Sequence, residues 1–400
     1  MSVKALVLAV FVGAVALVAY MALRGGGPGA GPGASPGGPT STAGGPSDGP
    51  APTTPSVTID LLYGSEKEAW LKEALVDFAK AHPEIKVNTK TKGSLDAARD
   101  ILDEKEKPTI WAPADTIALN LLAADWSQKT GKSLFGDGDD APQPLLLTPL
   151  VFVAWEDRAA ALSQGQPTLS WKRIEQVLSA PQGWAAAGGK AEWGFVKLGH
   201  TDPTRSNSGV QTLILMAFSH FGKPTLEIPD VLNADFQAFV QRIEKGVPQF
   251  AASSGQFMKD MILYGPSKFD LVVAYENLAI EQIPNAQGRW GNLKIYYPER
   301  TMWSTNPAAV LQADWVTAGQ RAAGKLLLDF LRSRPIQERA VHYGFRPADP
   351  AVPVITAAAD NPFHSAQAFG VKVELPPAID APAGPVIRNL MEMWNRLVRR

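Results

Sequence analysis

Apolar residues recur with two alternating periods through the first folded part of the chain. Runs of strand length are each followed by a stretch in which apolar residues return every three or four positions, a pattern typical of a buried strand and then an amphipathic helix. The predicted strand and helix pairs are residues 57–63 and 66–82, 85–91 and 95–102, and 109–115 and 116–125. Consecutive strand–helix units of this kind predict a mainly parallel sheet with helices on its faces.

Polar residues follow each of these strands at its carboxyl end. Ser65 comes after the first strand in a Gly-Ser pair, Ser94 after the second in another, and Asp115 ends the third. Ser94 is also placed to cap the helix that follows it. Because ligands of parallel sheets bind beyond the carboxyl ends of the strands, Ser65, Ser94 and Asp115 are candidate ligand-binding residues.

A second set of strands and helices follows a long apolar run at residues 145–155, which could pass from one lobe into another. Its predicted strands are residues 193–198, 269–274, 294–297 and 308–311, and its predicted helices are residues 170–178, 210–221, 232–244, 255–264 and 278–283. The last two strands are expected to return to the first lobe. Residues 318–342 then form an amphipathic stretch that Pro335 interrupts.

A polar stretch between a predicted strand and the apolar helix after it carries the densest group of candidates. These are Thr204, Arg205, Ser206, Asn207 and Ser208. Free N–H groups and the positive end of the dipole at a helix N-terminus attract anions, and Arg205 adds a charge suited to two parallel hydrogen bonds. The alternative is an ordinary connection in which the Ser and Asn side chains cap their own helix.

Tyr275 and Glu276 occupy another carboxyl strand end, after the predicted strand at residues 269–274. They are therefore candidates as well. If Glu276 and Asp115 both face the ligand, they oppose an anion unless Arg205 or a bound cation balances their charge. We expect a small polar ligand, and whether it is an anion stays open.

The length and composition of the chain allow two globular lobes with additional segments. The chain has 400 residues, of which 45% are hydrophobic, and domains usually have about 100–200 residues. Its 38 Lys and Arg residues nearly balance its 39 Asp and Glu residues. This balance removes the electrostatic argument for a nucleic-acid partner.

The N-terminus is predicted to anchor the protein in a membrane. Residues 5–23 form an uncharged apolar run, close to the ~20 residues that a membrane-spanning helix needs. We interpret residues 1–24 as an uncleaved signal anchor, with a cleaved signal peptide as the alternative. Residues 25–56 are rich in Gly, Pro and Ser and are expected to form a disordered linker. Lys4 favours a cytoplasmic N-terminus, so the body is expected in the periplasm or outside the cell.

The sequence lacks the usual motifs for catalysis and metal binding. It contains no Gly-x-Ser-x-Gly elbow, Walker lysine loop, His-Glu-x-x-His or dinucleotide fingerprint. Its five His residues have no metal-ligand spacing, and it has no Cys. A nucleophilic Ser206 or Ser208 with His200 as base lacks an acid partner, so a hydrogen-bonded structural role is expected for His200. We therefore expect neither an enzyme nor a cofactor or metal.

Several of these features together resemble the class II periplasmic solute-binding proteins of bacterial ABC transporters, a group that includes binders of molybdate, sulfate, phosphate and ferric ions. The resemblance covers residues 57–347 and is carried by Gly64-Ser65, Gly93-Ser94, the polar stretch from Thr201 to Gly209, Ala274-Tyr275-Glu276, Trp315-Val316-Thr317 and residues 343–347. It implies two α/β lobes, joined by two strand crossings, that close on a small ligand. The binding residues that it implies are Ser65, Ser94, Ser206, Ser208 and Tyr275.

The resemblance also implies a domain organisation. Lobe 1 is expected at residues 57–150 with 285–346 and lobe 2 at residues 151–284, each a mainly parallel sheet flanked by helices. Residues 347–400 are a C-terminal extension whose terminal helix is expected to pack on the body. A membrane-surface or partner-docking helix is the alternative.

The expected function is capture of a small polar ligand by a membrane-anchored, exported protein that serves an ABC permease. The alternative is an envelope sensor, or a protein or glycan interaction module, that uses the same fold without transport. The permease is implied by the resemblance and not by any residue pattern.

Overall fold

The computed structural model describes residues 56–356, 358, 360–375 and 377–399. The predicted signal anchor at residues 1–24 lies outside the described residues, as does the predicted linker apart from Ser56. Within the described ranges, every helix falls short of the length and apolarity that a membrane span requires. The described residues form one compact unit.

The elements of this unit follow the predicted order with shifted limits. The strands are β1 (Val57–Tyr63), β2 (Ile85–Thr91), β3 (Ile110–Ala112), β4 (Gln143–Pro144), β5 (Leu146–Trp155), β6 (Leu198–Gly199), β7 (Leu271–Tyr275), β8 (Leu293–Tyr296), β9 (Trp303–Ser304), β10 (Pro307–Val310) and β11 (Arg346–Pro347). The helices are α1 (Glu68–Ala81), α2 (Ser94–Leu102), α3 (Thr116–Thr130), α4 (Glu156–Ser163), α5 (Trp171–Leu178), α6 (Asn207–Phe221), α7 (Ile228–Val231), α8 (Ala234–Glu244), α9 (Ser254–Tyr264), α10 (Glu276–Ala286), α11 (Ala318–Arg332), α12 (Arg334–His342), α13 (Pro362–Ala366) and α14 (Gly384–Val398).

The first sheet has the strand order β2-β1-β3-β10-β4. β1 pairs in parallel with β2 and β3, whereas β10 runs antiparallel to β3 and β4. The predicted succession of strand–helix units at the start of the body is therefore confirmed. Buried side chains of α1, α11 and α12, including Trp70, Leu327 and Ile336, cover one face of this sheet. We call this sheet with α1–α3, α11 and α12 the first lobe.

The second sheet is mainly antiparallel, so the prediction of a mainly parallel sheet is wrong there. β5 runs antiparallel to β7, β8, β9 and β11, and among the described strands of this sheet β6 with β7 is the parallel pair. A strand that is buried on both faces is a continuous apolar run whichever way its neighbours run, so its pattern does not reveal their direction. We call this sheet with α4–α10 the second lobe.

The chain passes between the lobes along two neighbouring pairs of strands, β4–β5 and β9–β10, and once more between α12 and β11. β4 pairs with β10 in the first sheet, and directly beyond them β5 pairs with β9 in the second, with Thr148 opposite Ser304. β10 returns to the first sheet as expected. β8 was expected to return as well, but it lies beside the last residues of β5 in the second sheet, because the chain crosses back only after β9. The lobe limits drawn from the sequence stay a prediction.

The prediction of a strand at residues 193–198 is wrong. Ala191–Trp193 forms a 3-10 turn, and Gly194 has a positive φ of 69° that interrupts extended backbone. β6 is consequently reduced to Leu198–Gly199. Phe195, which contributed to the apolar pattern, is exposed.

The C-terminal helix α14 packs on the body as predicted. Ile387, Leu390 and Trp394, which recur at helical spacing, are buried. The helix contacts α6, α7 and α8 of the second lobe and α3 of the first lobe. The terminal helix therefore extends the apolar core of the protein.

Candidate functional site

The candidate site lies where strand ends of the first lobe meet helix N-termini of the second lobe. Gly255 N donates to Ser65 Oγ at 3.1 Å, and Asn277 Nδ2 donates to Glu66 O at 2.9 Å. Both hydrogen bonds join the two lobes. We call the polar residues gathered here the cleft cluster: Ser65, Glu66, Ser94, Asp115, Ser206, Asn207, Ser208, Ser254, Tyr275, Asn277 and Thr305.

A chain of hydroxyl groups forms the second-lobe side of the cleft cluster. Ser208 Oγ lies 2.6 Å from Thr201 Oγ1, 2.7 Å from Ser254 Oγ and 3.3 Å from Ser206 Oγ. All four residues are buried. Ser206 and Ser208 were predicted from the sequence, whereas Thr201 and Ser254 were not, although the Ser254-Gly255 pair opens the helix α9.

The first turn of α6 is not capped by a serine side chain. Ser206 occupies the N-cap position, but its hydroxyl makes no capping hydrogen bond. Asn207 Nδ2 donates to Tyr275 OH at 3.1 Å, while the buried Asn207 Oδ1 has no hydrogen-bond partner. The alternative in which this polar stretch simply caps its own helix is therefore wrong for Ser206, and the N–H groups of the turn are left for another acceptor.

Ser94 does not cap α2, contrary to the prediction. Gly93 occupies the N-cap position, and Ser94 Oγ accepts a hydrogen bond from Ala114 N at 3.0 Å. The hydroxyl therefore joins the ends of two adjacent strand–helix units. The sequence could not indicate this, because Ala114 follows a different strand.

Asp115 is a buried carboxylate of the cleft cluster. It caps α3 by accepting from Ile117 N at 2.9 Å, and it also accepts from Thr305 N at 3.3 Å. Burial raises the pKa of Asp115 to about 6, since the hydrogen bonds offset only part of the loss of hydration. Its charge therefore changes close to neutral pH.

Glu66 and Lys67 form a buried ion pair that the sequence analysis missed, because Glu and Lys are rarely buried. Lys67 Nζ also donates to Ala112 O at 3.1 Å and to Pro113 O at 3.3 Å. Burial lowers the pKa of Lys67, and the neighbouring Glu66 carboxylate opposes that shift. The pair brings a carboxylate to the cleft cluster without adding net charge.

The side chains of Tyr275 and Glu276 lie in different surroundings. Tyr275 is buried in the cleft cluster, and burial raises the pKa of its hydroxyl, which is neutral at physiological pH. The Glu276 carboxylate instead accepts from Arg346 Nε at 2.7 Å and Nη2 at 2.9 Å, and from the Tyr297 hydroxyl. The expectation that Glu276 faces the ligand is corrected by this pairing, and Arg346 rather than Arg205 balances its charge.

Thr204 and Arg205 lie at the rim. Arg205 Nε donates to Asp96 Oδ2 at 2.7 Å, and its side chain is 46% exposed. Its carbonyl accepts from Leu95 N at 3.2 Å and Asp96 N at 3.3 Å, and Arg99 Nη1 donates to Thr204 O at 2.6 Å. These residues therefore join the lobes through backbone groups and through the ion pair between Arg205 and Asp96. The Arg205 guanidinium was expected to face the ligand, but it is engaged at the rim.

His200 is buried and engaged away from the serines. Its Nδ1 lies 2.8 Å from Thr201 O, and its Nε2 lies 2.9 Å from Glu244 Oε2. Burial would lower the pKa of His200, but the Glu244 carboxylate outweighs it and the net shift is upward. The structural role expected for His200 is confirmed, and neither ring nitrogen is directed to Ser206 or Ser208. No group of His, Asp and Glu suited to a metal ion occurs within the described ranges.

Four buried side-chain oxygens around the cleft have no hydrogen-bond partner. They are Asn207 Oδ1, Asn277 Oδ1, Thr305 Oγ1 and Asn306 Oδ1. Buried polar atoms are usually paired, so these positions can accept hydrogen bonds from a bound molecule. The site thus offers hydroxyls, amides and helix N–H groups, which suit binding of a polar ligand.

The sequence matches a model of a known protein family. The model described as bacterial extracellular solute-binding protein matches residues 59–346. A search of the curated proteins gave no match.

Solved structures of binding proteins have a similar fold. The sulfate-binding protein SubI from Mycobacterium tuberculosis H37Rv is 20% identical at a TM-score of 0.53, with 80% of this chain and 93% of that chain covered. AfuA from Actinobacillus pleuropneumoniae, with exogenous fructose-6-phosphate bound, is 14% identical at a TM-score of 0.56, with 86% and 98% covered. An ABC transporter substrate-binding protein from Agrobacterium tumefaciens is 16% identical at a TM-score of 0.56, with 87% and 96% covered. At these identities the likeness establishes the fold.

Proposed function

The chain belongs to the family of bacterial extracellular solute-binding proteins, and on this premise we propose that it captures a small polar ligand between its two lobes. The observation that carries the proposal is the cleft cluster, because both lobes contribute to it and its residues are buried except for the half-buried Ser65 and Thr305. The proposed ligand contacts are Ser65, Ser94, Asp115, Ser206, Asn207, Ser208 and Tyr275.

Capture of this kind requires the lobes to open and close. The two neighbouring pairs of strands supply the hinge, since β4–β10 and β5–β9 are the paired segments between the sheets. On closure, the bonds from Leu95 N and Asp96 N to Arg205 O and from Gly255 N to Ser65 Oγ form across the cleft. A ligand that contacts both lobes stabilises the closed form because it gains contacts there that the open form lacks.

We further propose that the ligand is an anion. The first turn of α6 offers N–H groups at the positive end of its dipole. Lys67 offsets Glu66, and Arg346 offsets Glu276, so Asp115 is the carboxylate that opposes an anion. Its pKa of about 6 allows a proton to neutralise it.

The proposed physiological role is delivery of the ligand to an ABC permease. The apolar run at residues 5–23 would anchor the protein, and the linker at residues 25–56 would keep the body close to the membrane. A flexible linker of that length has a root-mean-square span of about 30 Å. A body tethered at this distance remains within reach of a membrane permease.

A thermal-shift screen of residues 57–400 tests the proposal. The panel begins with sulfate and fructose 6-phosphate, the ligands named for two structural relatives, and continues with other oxyanions, sugars, amino acids, organic acids and metal ions. A ligand at 100 times its Kd adds about 2.7 kcal/mol to the free energy of unfolding, which raises the Tm by a few degrees.

Serine variants locate the binding site. Ser208→Ala should abolish the shift, because Ser208 lies at the centre of the hydroxyl chain. Ser127→Ala is the matched control, since Ser127 is exposed on α3. If no compound raises the Tm of the wild type, solute capture is wrong and an interaction module becomes the better account.

A further inference from the structure

The C-terminal helix α14 reaches both lobes although it lies beyond the family match at residues 59–346. It contacts α6, α7 and α8 in the second lobe and α3 in the first. Any movement of one lobe against the other therefore changes the surroundings of this helix. The strength of the contacts at each end of the helix decides which lobe the helix follows when the lobes move apart.

The second half of α14 is held firmly by the second lobe. Leu390 and Trp394 are fully buried, and Trp394 Nε1 donates to Glu244 Oε1 at 2.8 Å. Arg396 Nη2 donates to Gln237 Oε1 at 3.2 Å. Burial of large apolar side chains with a satisfied indole N–H makes this contact costly to break.

The contact between the first half of α14 and the first lobe includes an exposed ion pair, beside the buried side chains of Val386 and Ile387. Arg388 Nη2 donates to Asp125 Oδ1 at 2.7 Å and lies 3.4 Å from Leu121 O. The side chains of Arg388 and Asp125 are 39% and 33% exposed. A cavity of about 500 Å³ is lined by residues of α3 and by residues of the segment 381–388. An exposed ion pair beside a cavity is readily broken.

We propose that α14 is a clasp that holds the lobes closed. It stays bound to the second lobe and releases α3 when the cleft opens. The clasp rests on the proposed opening and closing of the lobes, but not on the identity of the ligand. By stabilising the closed form in the absence of ligand, the ion pair between Arg388 and Asp125 lowers the frequency with which the cleft opens, in addition to the hydrogen bonds that cross the cleft.

Hydrogen–deuterium exchange of the full chain without added ligand tests the clasp. The reporters are the amides of Leu95, Asp96 and Gly255, whose hydrogen bonds cross the cleft and break when it opens. Arg388→Ala should speed their exchange about two- to fivefold, the range expected for loss of an exposed ion pair. Arg396→Ala is the matched control, because it removes an arginine of the same helix that binds only the second lobe.

Charge reversal separates the ion pair from a general effect on folding. Asp125→Arg alone should speed the exchange of the same amides, and Asp125→Arg with Arg388→Asp should restore the wild-type rates. Unchanged rates in Arg388→Ala, or equal acceleration in Arg396→Ala, would overturn the clasp. The proposal that the protein captures a solute is tested separately, because it fails if no compound stabilises the protein. That result would not change the exchange rates expected for the clasp.

Discussion

Replacing Arg346 with Met should destabilise the protein strongly, because it leaves a buried carboxylate without a counter-charge. The Glu276 side chain is fully buried, the Arg346 side chain is 7% exposed, and two hydrogen bonds of 2.7 and 2.9 Å join them. Removal of one partner of such a pair costs about 3–5 kcal/mol. Arg346 also donates to Val373 O at 2.8 Å, a bond that Met cannot replace.

Urea and thermal unfolding of Arg346→Met measure this cost. A loss of about 3–5 kcal/mol corresponds to a fall in Tm of about 4–7 °C in a chain of this size, since the unfolding entropy is about 2.1 cal/mol/K per residue. Glu276→Gln with Arg346→Met should regain most of the stability, since no charge is then left buried. If Arg346→Met is as stable as the wild type, the reasoning is refuted. It is also refuted if Glu276→Gln keeps its stability but loses ligand binding, because Glu276 would then act in the cleft.

Two further changes test the charge and the packing described above. The affinity for an anion should rise as the pH falls through about 6, because Asp115 takes up a proton and loses its negative charge. Titration calorimetry should show a weaker pH dependence of the affinity in Asp115→Asn than in the wild type. An equal pH dependence in both proteins would exclude Asp115 as the cause. Trp394→Ala should lower the free energy of unfolding in urea by about 3–5 kcal/mol, because Trp394 is fully buried and hydrogen-bonded. Trp290→Ala is the control and should lower it much less, because Trp290 is 50% exposed. Similar losses in the two Trp variants would contradict the placement of α14.

The first lobe was predictable because its strands and helices alternate between two clear periods. β1 and β2 have the predicted limits, and α1–α3 differ from prediction mainly at their ends. The second sheet was not predictable in the same way. β5 is apolar at nearly every position, and this pattern fits parallel and antiparallel neighbours equally.

The candidate site was predictable only where a polar residue follows a strand or opens a helix. Ser208 and Tyr275 were found by that rule, and both lie in the cleft cluster. Lys67 was missed because its burial depends on carbonyl groups of a different strand–helix unit. The direction of the Arg205 side chain also depends on a distant partner, Asp96, which the local sequence does not reveal.

Gly93→Ala tests lobe closure most directly, because it changes no side chain of the cleft cluster. Gly93 has a φ of −57°, which alanine adopts readily. A Cβ atom there would lie 2.6 Å from Arg205 O and 2.7 Å from Ala252 O, so the variant cannot close fully. Gly319→Ala is the control, since its Cβ would meet nothing within 4 Å.

The decisive measurement is the thermal shift that a stabilising compound produces in the wild type, Gly93→Ala and Gly319→Ala. Capture between the lobes predicts a shift in the wild type and in Gly319→Ala that is much smaller in Gly93→Ala. An equal shift in all three proteins would contradict the account, because the compound would then bind without closure of the cleft.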